Sequence, residues 1–197
     1  MELLKTGRQV TIVDLDTVEP FYTLRPIKKR LEEAGLNVVA WEPSQTMGLG
    51  EAGSLIKQEM IWALKNKGDI IMDVGYGVHG AKIFNLIEGA GQDPDLKIIA
   101  VVNVSRPMTA TVEDIVAYIE SLGRVDGLVN NTHLGDETSV EVINEGAVIV
   151  KKAADRLGLP MLYTAVPEDV GDGYPDGRDP TGTKIKKLAR WMPDAFW

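Results

Sequence analysis

The chain has 197 residues, 44% hydrophobic and 25% charged, which excludes wholesale disorder and, at roughly 100–200 residues per domain, predicts a single domain over 1–197. Its 21 basic and 29 acidic residues give a net charge of −8, the wrong sign for gripping phosphate backbones, so nucleic acid is not an expected partner. With no cysteine and two histidines, His79 and His133, with no membrane-length apolar run and no targeting segment at Met1-Glu2-Leu3-Leu4-Lys5, the chain excludes disulfides, thiolate chemistry and a cysteine- or histidine-rich metal centre, and points to a soluble, cytoplasmic protein.

In chain order, residues 1–6 read as the end of a helix. Gln9–Leu15 is the first of six short, nearly continuous apolar runs. The others are Asn37–Trp41, Asp69–Val74, Lys97–Asn103, Asp126–Asn130 and Met161–Thr164. Such runs are expected of strands covered on both faces. Between the first two, Leu24, Ile27, Leu31 and Ala34 share a helical face, with Pro26 in the first turn and Gly35 as the stop. Residues 52–66 and 79–88 are expected to be helical as well. Thr111 caps a helix striped by Val112, Ile115, Ile119 and Leu122. Thr138 with Glu141 makes a capping box for a long helix ending at Leu157-Gly158-Leu159-Pro160. Over 171–197 the pattern predicts an exposed loop and then a short basic amphipathic helix. There Lys184, Lys186, Lys187 and Arg190 accompany Ile185, Leu188 and Trp191, and the helix packs on the sheet rather than on a membrane. The βαβα order implies an α/β fold, a mainly parallel sheet with helices on both faces.

Ligands of open α/β sheets bind beyond the carboxyl ends of the strands. Here those ends are Asp14-Leu15-Asp16, Asp73-Val74-Gly75, Asn103-Val104-Ser105, Asn130-Asn131-Thr132 and Pro167-Glu168-Asp169. One Asp or Asn at a strand end is ordinarily a turn former or a cap. Five polar ends on one sheet edge point to a site.

Four segments, in order, resemble the MinD/ParA-type (deviant Walker) P-loop ATPases. The passage from Leu4 through Gly7 to Asp14-Leu15-Asp16 is similar to the family's helix–glycine–strand–DxD stretch. Asp69-Ile70-Ile71-Met72-Asp73-Val74-Gly75 resembles its Walker B strand and second switch. Asp126-Gly127-Leu128-Val129-Asn130-Asn131 resembles the strand whose asparagine reads the adenine edge, and Ala165-Val166-Pro167-Glu168-Asp169 resembles its base-binding loop. The resemblance spans about residues 3–170 and implies a three-layer P-loop NTPase fold binding ATP or ADP with Mg²⁺. It assigns Asp14, Asp16 and Asp73 to the catalytic carboxylates, with Asp16 and Asp73 holding the Mg²⁺. It assigns γ-phosphate sensing to the Gly75 or Gly77 amide, and the base to Asn130 or Asn131 with Pro167, Glu168 and Asp169.

The departure from the family is the phosphate cradle, because the 197 residues contain no G-x-x-x-x-G-K-[ST]. Gly48-Leu49-Gly50-Glu51-Ala52-Gly53-Ser54 has the glycine spacing but sets Ser54 at the lysine position, adds a repelling Glu51 and follows the wrong strand; it reads as a loop. In the family the cradle and its strand would precede Met1, so on the order of 20–25 residues are expected to be missing. The chain is therefore expected to be a degenerate or truncated ATPase that binds or assembles rather than hydrolyses. The slot of the missing strand would be covered by a second copy or a protein partner. The rival motif Gly75-Tyr76-Gly77-Val78-His79-Gly80 is a literal G-x-G-x-x-G. With Arg106 as holder of a 2′-phosphate it would make an NADP-linked oxidoreductase. Asp73, two residues ahead of the first glycine, and the missing ribose acid count against that reading.

Overall fold

Strand β1, Val10–Leu15, forms where the apolar run leaves Gly7, and it is hidden along most of its length. It is the middle of a parallel three-stranded sheet between β2, Asn37–Val39, and β3, Asp69–Val74. The register sets Thr11 beside Asn37 and Asp14 beside Asp73. The structure, a computed structural model, describes residues 1–17, 24–42 and 56–191. Val13 and Leu15 pack on Met60, Ala63, Ile83 and Ile87. Met60 lies in α3, Gln58–Ile61, and Ala63 in the 3-10 turn that follows it.

The opening helix is α1, Glu2–Lys5, closed by Thr6 and by Gly7 at φ +79°. The helix expected from Leu24 begins as a 3-10 turn, Arg25–Ile27, around Pro26 and continues as α2, Lys28–Glu33. Within the predicted 52–66 helix only α3 and its 3-10 turn are described; the Gly48–Ser54 string lies outside the described residues. The predicted 79–88 helix is α4, Gly77–Ala81, followed by a 3-10 turn.

A second parallel sheet has the order β4-β5-β6-β7: Ile99–Val102, Gly127–Asn130, Met161–Pro167 and Ile185–Leu188. Helices α5, Val112–Leu122, and α6, Val140–Leu157, cover it. Their Ile115, Ile119, Val150 and Ala153 form one core with Val102 and Leu128. Thr111 caps α5 in a reciprocal box with Asp114. The cap of α6 is Ser139, one residue beyond the predicted Thr138, whose hydroxyl instead donates to the Gly135 carbonyl at 2.6 Å. Gly158 closes α6 in the left-handed conformation.

The residues group into two compact units, Met1–Leu96 and Lys97–Trp197, each with its own parallel sheet. One expectation is corrected. The basic segment near the carboxyl terminus is not a helix, since Ile185–Leu188 is strand β7 beside β6. Ile185 is buried with Ile143, Val166 and Tyr174, and the Lys186 ammonium lies 4.8 Å from the Tyr163 ring centroid. Lysines on an edge strand discourage further pairing and keep their charges in water. The fold is α/β, two parallel sheets flanked by helices.

Candidate functional site

In the first unit the register of β1 with β3 brings Asp14 beside Asp73, as the sequence predicts for neighbouring strand ends. Asp14 is committed elsewhere. Its side chain is sealed from solvent, and the Arg25 Nε donates to Oδ2 at 2.6 Å. The same guanidinium donates to the Asp16 carbonyl at 3.1 Å, and the Asp16 amide donates to Asp14 Oδ1 at 3.1 Å. Burial outweighs the arginine and raises the Asp14 pKa above the usual carboxylate value. For Asp73 the surrounding protein, then the charges of Asp14 and Asp16, push the carboxyl up to about 6, although the residue keeps an exposed face. Among the described residues no group of three or more His, Asp or Glu side chains is placed to hold a metal ion. Arg25 takes up Asp14, which leaves Asp16 and Asp73 as the carboxylates of the expected Mg²⁺ site.

Asp73 carries a pH signature with a definite sign. Between the ordinary aspartate value of 3.8 and about 6 the folded state holds a proton that the unfolded state has lost, so stability falls as pH rises through that window. Asp73→Asn removes the penalty. Because water screens an exposed group, the gain at pH 8 is about 1 kcal/mol, roughly 2–4 °C in Tm. Melting curves of variant and parent should converge near pH 4; a constant offset at all pH values would contradict the assignment.

The Gly75–Gly80 motif has a packing cause. A Cβ on Gly80 would lie 1.7 Å from the Gly75 carbonyl oxygen, so the turn from β3 into α4 closes only around glycine. Gly77, at φ +76°, is the first residue of α4. Neither the phosphate-sensing role nor a dinucleotide is needed to account for these residues.

In the second unit, a cleft of about 220 Å³ lies beyond the carboxyl ends of β5, β6 and β7. Asn131, Thr132 and His133 come from just beyond β5, Val166 and Pro167 from β6, Leu188 from the end of β7, and Arg190 and Trp191 from the residues that follow it. Asn131 and Pro167 are thus brought together as predicted for a base site. Asn130 is not available to it. Fully buried, it donates to the Ile143 carbonyl at 3.3 Å and to Thr164 Oγ1 at 3.4 Å, and it accepts from the Thr132 hydroxyl at 2.6 Å. Glu168 and Asp169 are exposed in the turn after β6 and do not line the cleft.

His133, Arg190 and Trp191 were not singled out for this site by the sequence, because two of them fall in the predicted helix. His133 is fixed by Asn103, whose side chain exchanges hydrogen bonds of 3.3 Å with its backbone N–H and C=O. Its Nδ1 accepts from the Gly135 N–H at 3.3 Å, which makes Nε2 the hydrogen-bearing nitrogen of the neutral ring. Burial, then the charges of Arg106 and Arg190, hold its pKa below the usual histidine value. Arg190 is ion-paired to Asp136.

No protein-family model matches the chain, and no curated protein matches it. Among solved structures it is similar to the alanine racemase of Clostridium difficile 630 in complex with cycloserine, at 15% identity and a TM-score of 0.43, covering all of this chain and 57% of that one. A further structure of alanine racemase from Clostridium difficile 630 gives 15% identity and a TM-score of 0.42, with 54% of that chain covered. The chain thus spans little more than half the length of these proteins, and a likeness this distant carries no argument about activity.

Proposed function

We propose that the protein binds an adenine nucleotide, ATP or ADP, in the cleft of the unit Lys97–Trp197, and that the bound state controls assembly rather than driving hydrolysis. The supporting observation is that Asn131 and Pro167, from two segments resembling the base-reading parts of MinD/ParA-type ATPases, line one cleft together. At about 220 Å³ it is smaller than the roughly 300–1,000 Å³ of sites that bury a drug-sized ligand, which suits one nucleobase. Hydrolysis is not part of the proposal, because these 197 residues have no G-x-x-x-x-G-K-[ST] lysine to neutralise β- and γ-phosphates. Cytoplasmic location belongs to the same reading and rests on the cysteine-free composition. Among the described residues no helix is long and apolar enough to cross a membrane.

A second reading, an interaction module, is favoured by two sheet edges. Among the described residues β3 pairs only with β1 and exposes Ile71, and β4 pairs only with β5 and exposes Ile99 and Val101. Each is the apolar, parallel edge of its own sheet, suited to a strand from a second copy or a protein partner.

Thermal unfolding with Mg-ATP, ADP and NADPH separates the readings. ATP or ADP at 100 times its dissociation constant should add about 2.7 kcal/mol. A response to NADPH alone would replace the proposal with the oxidoreductase reading at Gly75–Gly80. No response to any of the three would leave the interaction module. A strand with G-x-x-x-x-G-K-[ST] encoded in frame ahead of Met1 would make the protein a truncated rather than a degenerate ATPase.

A further inference from the structure

The sheet of the second unit has two unlike edges. At one, β7 carries Lys186 and Lys187, with Lys184 just ahead of it, charges that discourage a further strand. At the other, β4 is Ile99-Ala100-Val101-Val102, without charge, proline or glycine, and Val101 is 62% exposed and Ile99 37%. An edge this apolar and unguarded is a template for another strand. Strand parity says which of its backbone groups are open. The Ile98 and Val102 carbonyls accept from the Asp126 and Asn131 amides at 2.7 Å each. Even-numbered residues therefore bond toward β5, and Ile99 and Val101 turn their N–H and C=O outward. Among the described residues no strand but β5 pairs with β4.

The two outward residues flank Ala100, which makes the edge complementary to itself. A twofold axis at Ala100 sets Ile99 of one copy against Val101 of the other in an antiparallel pair, and residues so opposed exchange both their N–H···O bonds. The exposed β-branched side chains then meet across the join, and Lys97 falls opposite the neutral Asn103. Two chains of net charge −8 touch along a strand that carries no charge. The other exposed edge, β3, holds Asp69 and Asp73, and a β4–β3 contact would join copies head to tail without closing. We infer that β4 is the interface of a symmetric homodimer, in which two four-stranded sheets join edge to edge, antiparallel at Ala100, into one continuous sheet. The inference rests on the interaction-module reading above and adds its partner, a second copy of this chain, and its register.

Sedimentation equilibrium of the full chain over a concentration series should show a reversible monomer–dimer equilibrium. Val101→Pro removes an outward N–H and no bond of the fold, while Val101→Lys gives this edge the guard that β7 has. Each should weaken the dimer by at least about tenfold with the far-UV circular dichroism unchanged, and either reads the edge where the other fails to fold. The chain has no cysteine, so Ala100→Cys reports the register. The twofold brings its two copies to a Cα separation of about 4.5 Å, within disulfide reach, and mild oxidation should cross-link the dimer. Val101→Cys, whose copies would stand roughly 7–8 Å apart, should not cross-link. A chain that stays monomeric throughout would overturn the inference while leaving the interaction reading to a strand of a different protein. A dimer that both Val101 variants leave intact would overturn the inference and remove β4 from that reading. Cross-linking through Val101→Cys but not Ala100→Cys would overturn the register.

Discussion

Arg25→Met is expected to remove about 3–5 kcal/mol from the stability of the unit Met1–Leu96. Arg25 is 5% exposed and Asp14 1%, so their 2.6 Å contact is of the kind whose one-sided loss strands a buried charge. An exposed pair would contribute only about 0–1 kcal/mol. In the variant, Asp14 keeps the Asp16 amide and loses the guanidinium that opposes its desolvation. Its pKa, already raised, climbs further. A raised carboxyl stabilises the fold at low pH and loses that contribution as pH rises, so the destabilisation should deepen from acid to neutral pH. Asp14→Leu combined with Arg25→Met should recover most of the loss, because apolar replacement of a whole buried pair is often neutral or stabilising. Hydrogen exchange at the amides of β1 and β3 reads this unit separately. A loss below about 1 kcal/mol, independent of pH, would show that the pair is not buried as described.

Asp179→Ala is the second large effect, expected at about 3 kcal/mol or more in the unit Lys97–Trp197. Asp179 is 5% exposed. Its Oδ1 accepts from the Thr181 amide at 2.8 Å, the Thr181 hydroxyl at 2.6 Å and the Thr183 amide at 3.1 Å; its Oδ2 accepts from the Thr164 hydroxyl at 2.7 Å. Alanine strands four donors, each costing roughly 1–3 kcal/mol where water cannot reach, with partial relief from relaxation. Asp179→Asn should cost about 1 kcal/mol, since its oxygen keeps the Oδ1 bonds and only Thr164 must reverse. The network reaches the cleft, because Thr164 also accepts from Asn130, which accepts from Thr132 in the cleft wall. Urea unfolding compared across the three proteins checks the order. Equal stability of the Ala and Asn variants would contradict it.

The sequence made the strands legible where glycines bound an apolar run. Asp69–Val74 matches its prediction at both ends, because Gly68 and Gly75 flank it and Ile70, Ile71, Met72 and Val74 supply its apolar content. Strand β7 was not legible. In Lys184-Ile185-Lys186-Lys187-Leu188 the apolar residues stand three apart, a helical spacing, and only pairing with β6 decides for the strand. That error removed Leu188, Arg190 and Trp191 from the site. The choice between Asn130 and Asn131 was open to strand parity: Leu128 and Asn130 point to the side covered by α6, and Asn131 follows on the way out. Asp179 lay in a segment read as exposed loop. Its signal was present in Asp179-Pro180-Thr181-Gly182-Thr183, where an Asx turn is flanked by hydroxyls at two and four residues. Asp14 and Asp73 were correctly placed side by side, but the arginine that neutralises Asp14 is eleven residues away in a separate turn. No local pattern announces such a partner.

The most direct measurement is an amide chemical-shift titration of the full chain with ADP. Nucleotide binding in the second-unit cleft predicts saturable shifts at residues 131–135, 166–167 and 188–191, together with the Asn130 and Thr164 amides behind them. Shifts confined to residues 14–17 and 73–80, or none at saturating ADP, would contradict it.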